Sequence, residues 1–272
     1  MNAMNIYLAC DIEGCCGYTS HEEGCVGTNL YDQFRRQMTL EAGAVCRGVQ
    51  KAGGQTILVH DVHGNARNIM ADLLPRGVEL LRKSGGDPYA QLSGVQYGEF
   101  DAVMLSGFHS GATSSGSPVS HTFRLNHHHA LYLNGQVLSE FLYDAYSAAS
   151  LGLPIPFISG DREICAVARQ IIPDITTVEA VTGFGYGTRS RHPEEVIEEI
   201  EAKAEQALNG NWQRCKATLP DELELTIVFQ RHQDATYNSF FPDIKQLDDV
   251  TLQYKCNDWY EILRMVHFVL SK

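Results

Sequence analysis

Residues 5–10 (NIYLAC) are an unbroken apolar run that stops at Asp11, and residues 31–52 follow with Phe34, Met38, Ala42, Val45 and Val49 at helical spacing. The pattern predicts strand, loop, helix. Gly53 and Gly54 end that helix, and residues 55–61 (QTILVHD) read as a buried strand leading into His63 and Gly64. A weakly patterned stretch containing residues 84–88 (SGGDP) gives way to a further apolar strand, residues 100–109 (FDAVMLSGFH), which runs into a loop of small residues. Residues 130–136 (ALYLNGQ) have the form of a hairpin, because Asn134 and Gly135 accept the positive φ of a two-residue turn. A helix from about Ser139 to Ser150 and a strand over residues 156–161 (PFISGD) come next. Residues 192–208 form a helix with Pro193 in its first turn, early glutamates, and Val196, Ile197, Ile200 and Ala204 on one face.

Beyond Gly210 the period changes. Residues 222–230 (ELELTIVFQ) and 250–256 (VTLQYKC) alternate like half-buried strands, and residues 259–270 (WYEILRMVHFVL) have helical spacing. The expected fold is α/β: a three-layer αβα arrangement with a largely parallel central sheet and a smaller C-terminal α+β portion. We expect residues 1–215 to form the main α/β domain, with residues 216–272 either a separate unit or part of the same one.

The chain has 272 residues, enough to bury a core without covalent staples. Its eight cysteines are therefore read as reduced thiols of a cytoplasmic protein. No run approaches the roughly 20 apolar residues of a membrane span, so no membrane partner is expected. The 33 acidic residues exceed the 21 basic ones, a net charge of −12, which disfavours nucleic acid as a partner.

That negative balance also suits bound cations, and the strand ends supply candidate ligands. Asp11 and Glu13 are two residues apart after the first strand, and in an extended segment such residues point the same way. Two carboxylates aimed together repel unless a cation or shared proton lies between them. The second strand ends in Asp61-Val62-His63 and the next in His109. Ligands gather beyond the carboxyl ends of strands in open α/β sheets, so these groups would share one rim, with Glu140 at the head of the following helix as a further ligand. Singly, each is more often structural: an acidic turn, or a core histidine. The small-residue loop after His109 returns His121, which either moves protons at the site or is incidental to a surface loop. His127, His128 and His129 are adjacent, so an extended backbone would turn them to opposite faces, and Cys10, Cys15 and Cys16 read as buried structural thiols.

In this order, the segments DIEG, HDVHGNARN, GFHSGATSSGSPVSH, NGQVLSE, SGD and SRHPEE resemble the zinc-dependent D-aminopeptidase family, over about residues 5–205. The resemblance implies two zinc ions per chain, held by Asp11, Glu13, His63, His109 and Glu140, with Asp11 bridging. It implies that Glu13 and His109 complete one ion and His63 and Glu140 the other, and that His121 is catalytic, as nucleophile or as proton-transfer group. It further implies a cytoplasmic aminopeptidase acting on short, D-residue-containing peptides by a metal-activated water, assembled as a homodecamer of two rings. The alternatives are a two-metal amidohydrolase acting on a cyclic or non-peptide amide, and a metal-dependent binding protein without turnover. The sequence departs from the family in a longer loop between His109 and His121, in Thr182 where lysine is common, and in Gly43 in place of asparagine.

Overall fold

The computed structural model describes residues 4–124 and 128–270. The chain begins with β1 (Met4–Cys10), α1 (Tyr31–Lys51), β2 (Gly54–Asp61), β3 (Val78–Arg82), β4 (Ala102–Phe108), β5 (His128–Leu133), β6 (Gln136–Val137) and α2 (Glu140–Ser150). It continues with β7 (Phe157–Asp161), α3 (Arg162–Ile171), β8 (Thr176–Phe184), β9 (Gly187–Ser190) and α4 (Pro193–Asn209). The last elements are β10 (Leu223–Phe229), α5 (His232–Asn238), β11 (Lys245–Gln246), β12 (Thr251–Cys256) and α6 (Trp259–Leu270).

The central sheet has the order β3-β2-β1-β4-β7-β8-β9 and is parallel except for the β8–β9 pair. Period-two alternation divides its side chains between two cores. Ile6, Leu8 and Cys10 share one with Met38 and Val45 of α1 and Val196 and Ile200 of α4. Tyr7 and Ala9 share the other with Phe141 and Leu142 of α2 and Ile164 of α3. The result is the expected α/β fold with a largely parallel, helix-covered sheet. Beyond the second core lies an antiparallel sheet, order β11-β12-β10-β5-β6. Its C-terminal strands do not close on themselves, because β10 pairs with β5 in the middle of the chain. Trp259 of α6 packs against Tyr143 and Tyr146, and its indole N–H donates to Ser147 Oγ at 3.1 Å, tying α6 to α2.

Several predicted features are present in detail. Asn134 and Gly135 form the β5–β6 turn with φ of 49° and 79°, and Ser139 caps α2 by accepting from Leu142 N–H at 3.2 Å. Pro193 opens α4. The periodicity reading passed over β3, α3, β8, β9, α5 and β11. Most of these are short or lie at sheet edges, where mixed polarity hides the period.

Candidate metal centre

Strand order reverses between β1 and β4: the chain moves from β1 to β2 and β3 on one side, and through β4 to β7 and β8 on the other. A parallel sheet opens a crevice at such a switch point. Asp11 and Glu13 leave the end of β1, His109 leaves the end of β4, His63 follows β2, and Glu140 opens α2. Asp11, Glu13, His63, His121 and Glu140 line a cleft of about 390 Å³, and His109 lies buried beneath it.

Backbone bonds lace the loop after β1 onto β4. Asp11 N–H donates to Ser106 O, and Gly14 N–H to Gly107 O, both at 2.8 Å. No side chain fits at either glycine. A Cβ on Gly14 would lie 1.8 Å from Phe108 O, and one on Gly107, at φ 73°, would lie 2.1 Å from Asp11 O. Two buried aspartates shape the neighbouring loops. Asp61 accepts from Asn68 N–H at 2.5 Å and Ile69 N–H at 2.8 Å, while Asn68 Nδ2 also donates to His63 O. The aspartate of the D-x-x-H segment therefore holds the loop that presents His63. Asp161 does the same after β4, accepting from Ser110 N–H and Oγ while capping α3 through Ile164 N–H.

Within the cleft, one carboxylate faces two imidazoles. Asp11 Oδ1 is 3.3 Å from His63 Nδ1, and Asp11 Oδ2 is 3.5 Å from His109 Nε2. Glu13 Oε2 completes the first half at 3.0 Å from His63 Nδ1, and Glu140 Oε1 the second at 3.5 Å from His109 Nε2. These contacts divide the donors differently from the pairing implied by the resemblance: Glu13 lies with His63, and Glu140 with His109. Phe123 N–H donates to Glu140 Oε1 at 2.6 Å, and Gln91 Nε2 donates to Oε2.

The outer nitrogen of each imidazole is committed to a backbone carbonyl. His63 Nε2 donates to Gly24 O at 3.1 Å, His109 Nδ1 to Ser110 O at 3.0 Å and His121 Nδ1 to Val119 O at 2.9 Å. The inner nitrogen of each ring is thereby left facing the cleft, where a neutral ring would offer its lone pair to a metal. Burial works against the cationic form of His109, but Glu140 and then Asp11 raise its pKa to about 10. His63 is likewise raised well above its ordinary value against burial, by the Glu13 charge and the Asp11 hydrogen bond. Burial opposes ionisation of Asp11 too, yet His63 and His109 hold it below the usual carboxylate range, and His109 does the same for Glu140.

These residues fit a divalent metal. Buried polar atoms are nearly always bonded, whereas His109 Nε2 and Glu13 Oε2 are buried with no hydrogen-bond partner. A set of imidazole nitrogens and carboxylate oxygens is one that zinc takes.

Residues 4–268 match the family described as D-aminopeptidase, peptidase M55. This chain belongs to the D-aminopeptidase family. Among solved structures it is similar to the Zn-dependent D-aminopeptidase DppA from Bacillus subtilis, described as a self-compartmentalizing protease. The two share 23% identity, with a TM-score of 0.88 over 98% of this chain and 97% of that one. No curated protein matches the chain.

Other residues of this D-aminopeptidase family member sort by position. His121 stacks on His109 with ring centroids 4.2 Å apart, and its Nε2 is 3.8 Å from Glu140 Oε1 and 4.0 Å from Glu13 Oε1. His21, which sequence reasoning missed, meets His121 edge to face at 5.3 Å. The signal for its segment was present, since Ser20 and Glu23 form a capping box that starts a short 3-10 turn over His21–Gly24. Burial and the neighbouring histidines lower the His21 pKa to about 4. On β5, His128 is buried and His129 exposed, on opposite faces, while His127 lies outside the described residues. Cys10, Cys15 and Cys16 are buried free thiols outside the metal-type clusters found among the described residues. Thr182 lines a different groove, with Arg169, Arg189, Arg191 and Lys203, on the β8–β9 side of the sheet.

Proposed function

We infer that this chain is a zinc-dependent aminopeptidase that removes the N-terminal residue, of D configuration, from short peptides at a two-metal centre. The observation that carries the reading is the Asp11 carboxylate, whose two oxygens face His63 and His109 separately, with Glu13 and Glu140 beside them. Asp11, Glu13 and His63 would hold one zinc, and Asp11, His109 and Glu140 the other. Zinc so held lowers the pKa of water and polarises a peptide carbonyl.

The remaining chemistry belongs to the chain. His121, with Nδ1–H donated to Val119 O, turns its Nε2 toward the cleft carboxylates. It is suited to take a proton from the attacking group and return one to the leaving amine, or to attack the carbonyl itself. Gln91 and the Phe123 N–H orient Glu140. D-residue preference rests on the family. Assembly into a closed homo-oligomer, a decamer of two rings, rests on the self-compartmentalizing relative. A cytoplasmic location fits a chain whose described residues include no helix long and apolar enough to cross a membrane.

The test combines metal analysis with turnover of D- and L-aminoacyl amides. Chelator-free protein should retain two zinc ions per chain, and Asp11→Ala should weaken both. His121→Ala should keep the two ions and lose roughly 10²-fold or more in turnover of D-aminoacyl amides. One ion or none in the wild type would sink the two-metal centre; an unimpaired His121→Ala would remove His121 from the chemistry.

A further inference from the structure

The cleft contains a further group of donors, one of which, His21, the two-metal reading leaves unused. A carboxylate oxygen of Glu13 and one ring nitrogen each of His21 and His121 lie within 4.8 Å of one another. The two oxygens of Glu13 serve opposite sides: Oε2 faces His63 at 3.0 Å, while Oε1 faces His121 Nε2 at 4.0 Å. His121 has its outer nitrogen committed to Val119 O, which leaves its Nε2 facing the Glu13 carboxylate. The His21 ring is half-buried, lines the same cleft, and makes no hydrogen bond among the described residues. Its backbone is held by the Ser20–Glu23 capping box, and Gly24 O at the end of that turn anchors His63. The turn that secures one primary ligand thus aims a spare imidazole at the mouth of the centre.

We propose that Glu13, His21 and His121 form a further, weaker site for a divalent transition-metal ion, zinc above all, whose occupancy inhibits the enzyme. Two imidazoles and a carboxylate make a set of three protein ligands that zinc accepts with a fourth position open. The donors stand somewhat wider than the separation of about 3.4 Å around a tetrahedral zinc, and the half-exposed His21 turns inward to close the gap. The site is weaker than the primary ones because Glu13 is shared and His21 is only partly shielded from water. An ion there occupies His121 Nε2, so the consequence for turnover rests on the proposed role of His121, whereas the binding itself does not.

The experiment is a zinc titration of the full-length protein, by equilibrium dialysis and by rate, with wild type, His21→Ala and His21→Gln. Glutamine keeps the bulk and polarity of histidine without its affinity for zinc, and tightly held zinc in each variant reports that the cleft is intact. The wild type is expected to bind one more equivalent at high zinc than either variant. Its turnover, relative to its own rate at stoichiometric zinc, should fall by roughly a hundredfold at saturation, and that of the variants should fall by far less. Equal equivalents in all three proteins overturn the site and leave adventitious surface binding as the cause; an extra equivalent in the wild type with equal inhibition in all three overturns the inhibitory consequence. The absolute number of tightly held ions tests the two-metal reading separately, because this site is read from the difference between proteins.

Discussion

His63 and His109 keep their protons in the metal-free centre because the carboxylates around them outweigh the cost of burial, to a pKa of about 10 for His109. A group whose folded pKa is raised adds stability that is complete below its unfolded value and is lost as pH rises through the folded one. The metal-free protein should therefore lose this contribution from neutral pH up to about 10. Zinc takes only the neutral imidazole, so its binding to chelator-treated protein at pH 7.5 should expel about two protons per chain. Calorimetry in buffers of different ionisation enthalpy measures that number directly. Zinc uptake without proton release would mean that the two rings are already neutral and that the carboxylates are not arranged around them as described.

At the scale of elements, α1 and α2 support the centre from opposite sides. Glu140 is the first residue of α2, where the helix dipole favours a carboxylate. Glu41 on α1 is fully buried and accepts from Cys16 N–H at 2.8 Å, bracing the loop that carries Asp11 and Glu13. Burial pushes the Glu41 pKa up from 4.5 to about 7, against the hydrogen bonds from Gln37 and Cys16. The folded state then binds the extra proton, so wild-type stability should fall as pH rises across this window, by about 3 kcal/mol. Glu41→Gln keeps the acceptor and removes the titration. Urea midpoints for the two proteins should therefore converge at low pH, with the variant gaining as pH rises to about 7; parallel profiles would show that Glu41 is not held as a neutral acid. The helices α1, α4 and α6 are legible in the sequence because each has an apolar face, and α2, buried almost throughout, because Ser139 can cap an apolar segment. By contrast, α3 and the β8–β9 hairpin escape the reading. Asp161 could have signalled α3 as its N-cap, but the residue also ends the preceding strand and bonds Ser110, so its position alone does not separate the roles.

For the molecule as a whole, the proposed function extends to an assembly that encloses its active sites. Light scattering at low micromolar concentration should give a particle about ten times the mass of the 30.2 kDa chain. A monomer would end the assembly proposal and leave the metal centre untouched. Within one chain, β10 is joined to β5 and α6 to α2, so the C-terminal segment is built into the second core. Residues beyond 216, where the period changes, contribute Leu225, Leu252 and Ile262 to the core that also holds Phe141 and Ile164.

By itself the sequence determined the alternation of strands and helices, the turn at Asn134-Gly135, and which residue types stand at the strand ends. Those are local properties, set by period and by the conformational limits of single residues. Only the tertiary structure decided how the candidates meet. The pairing of Glu13 with His63 and of Glu140 with His109 depends on β1 lying between β2 and β4, an order that period does not encode. Asp61 and His63 look equivalent in the chain, yet the first is consumed by Asn68 and Ile69 and the second reaches the cleft. His21 shows nothing unusual along the sequence. Its turn folds back against His63, because Gly24, where a Cβ would meet the Tyr18 hydroxyl and the His63 ring, lets the backbone approach that closely.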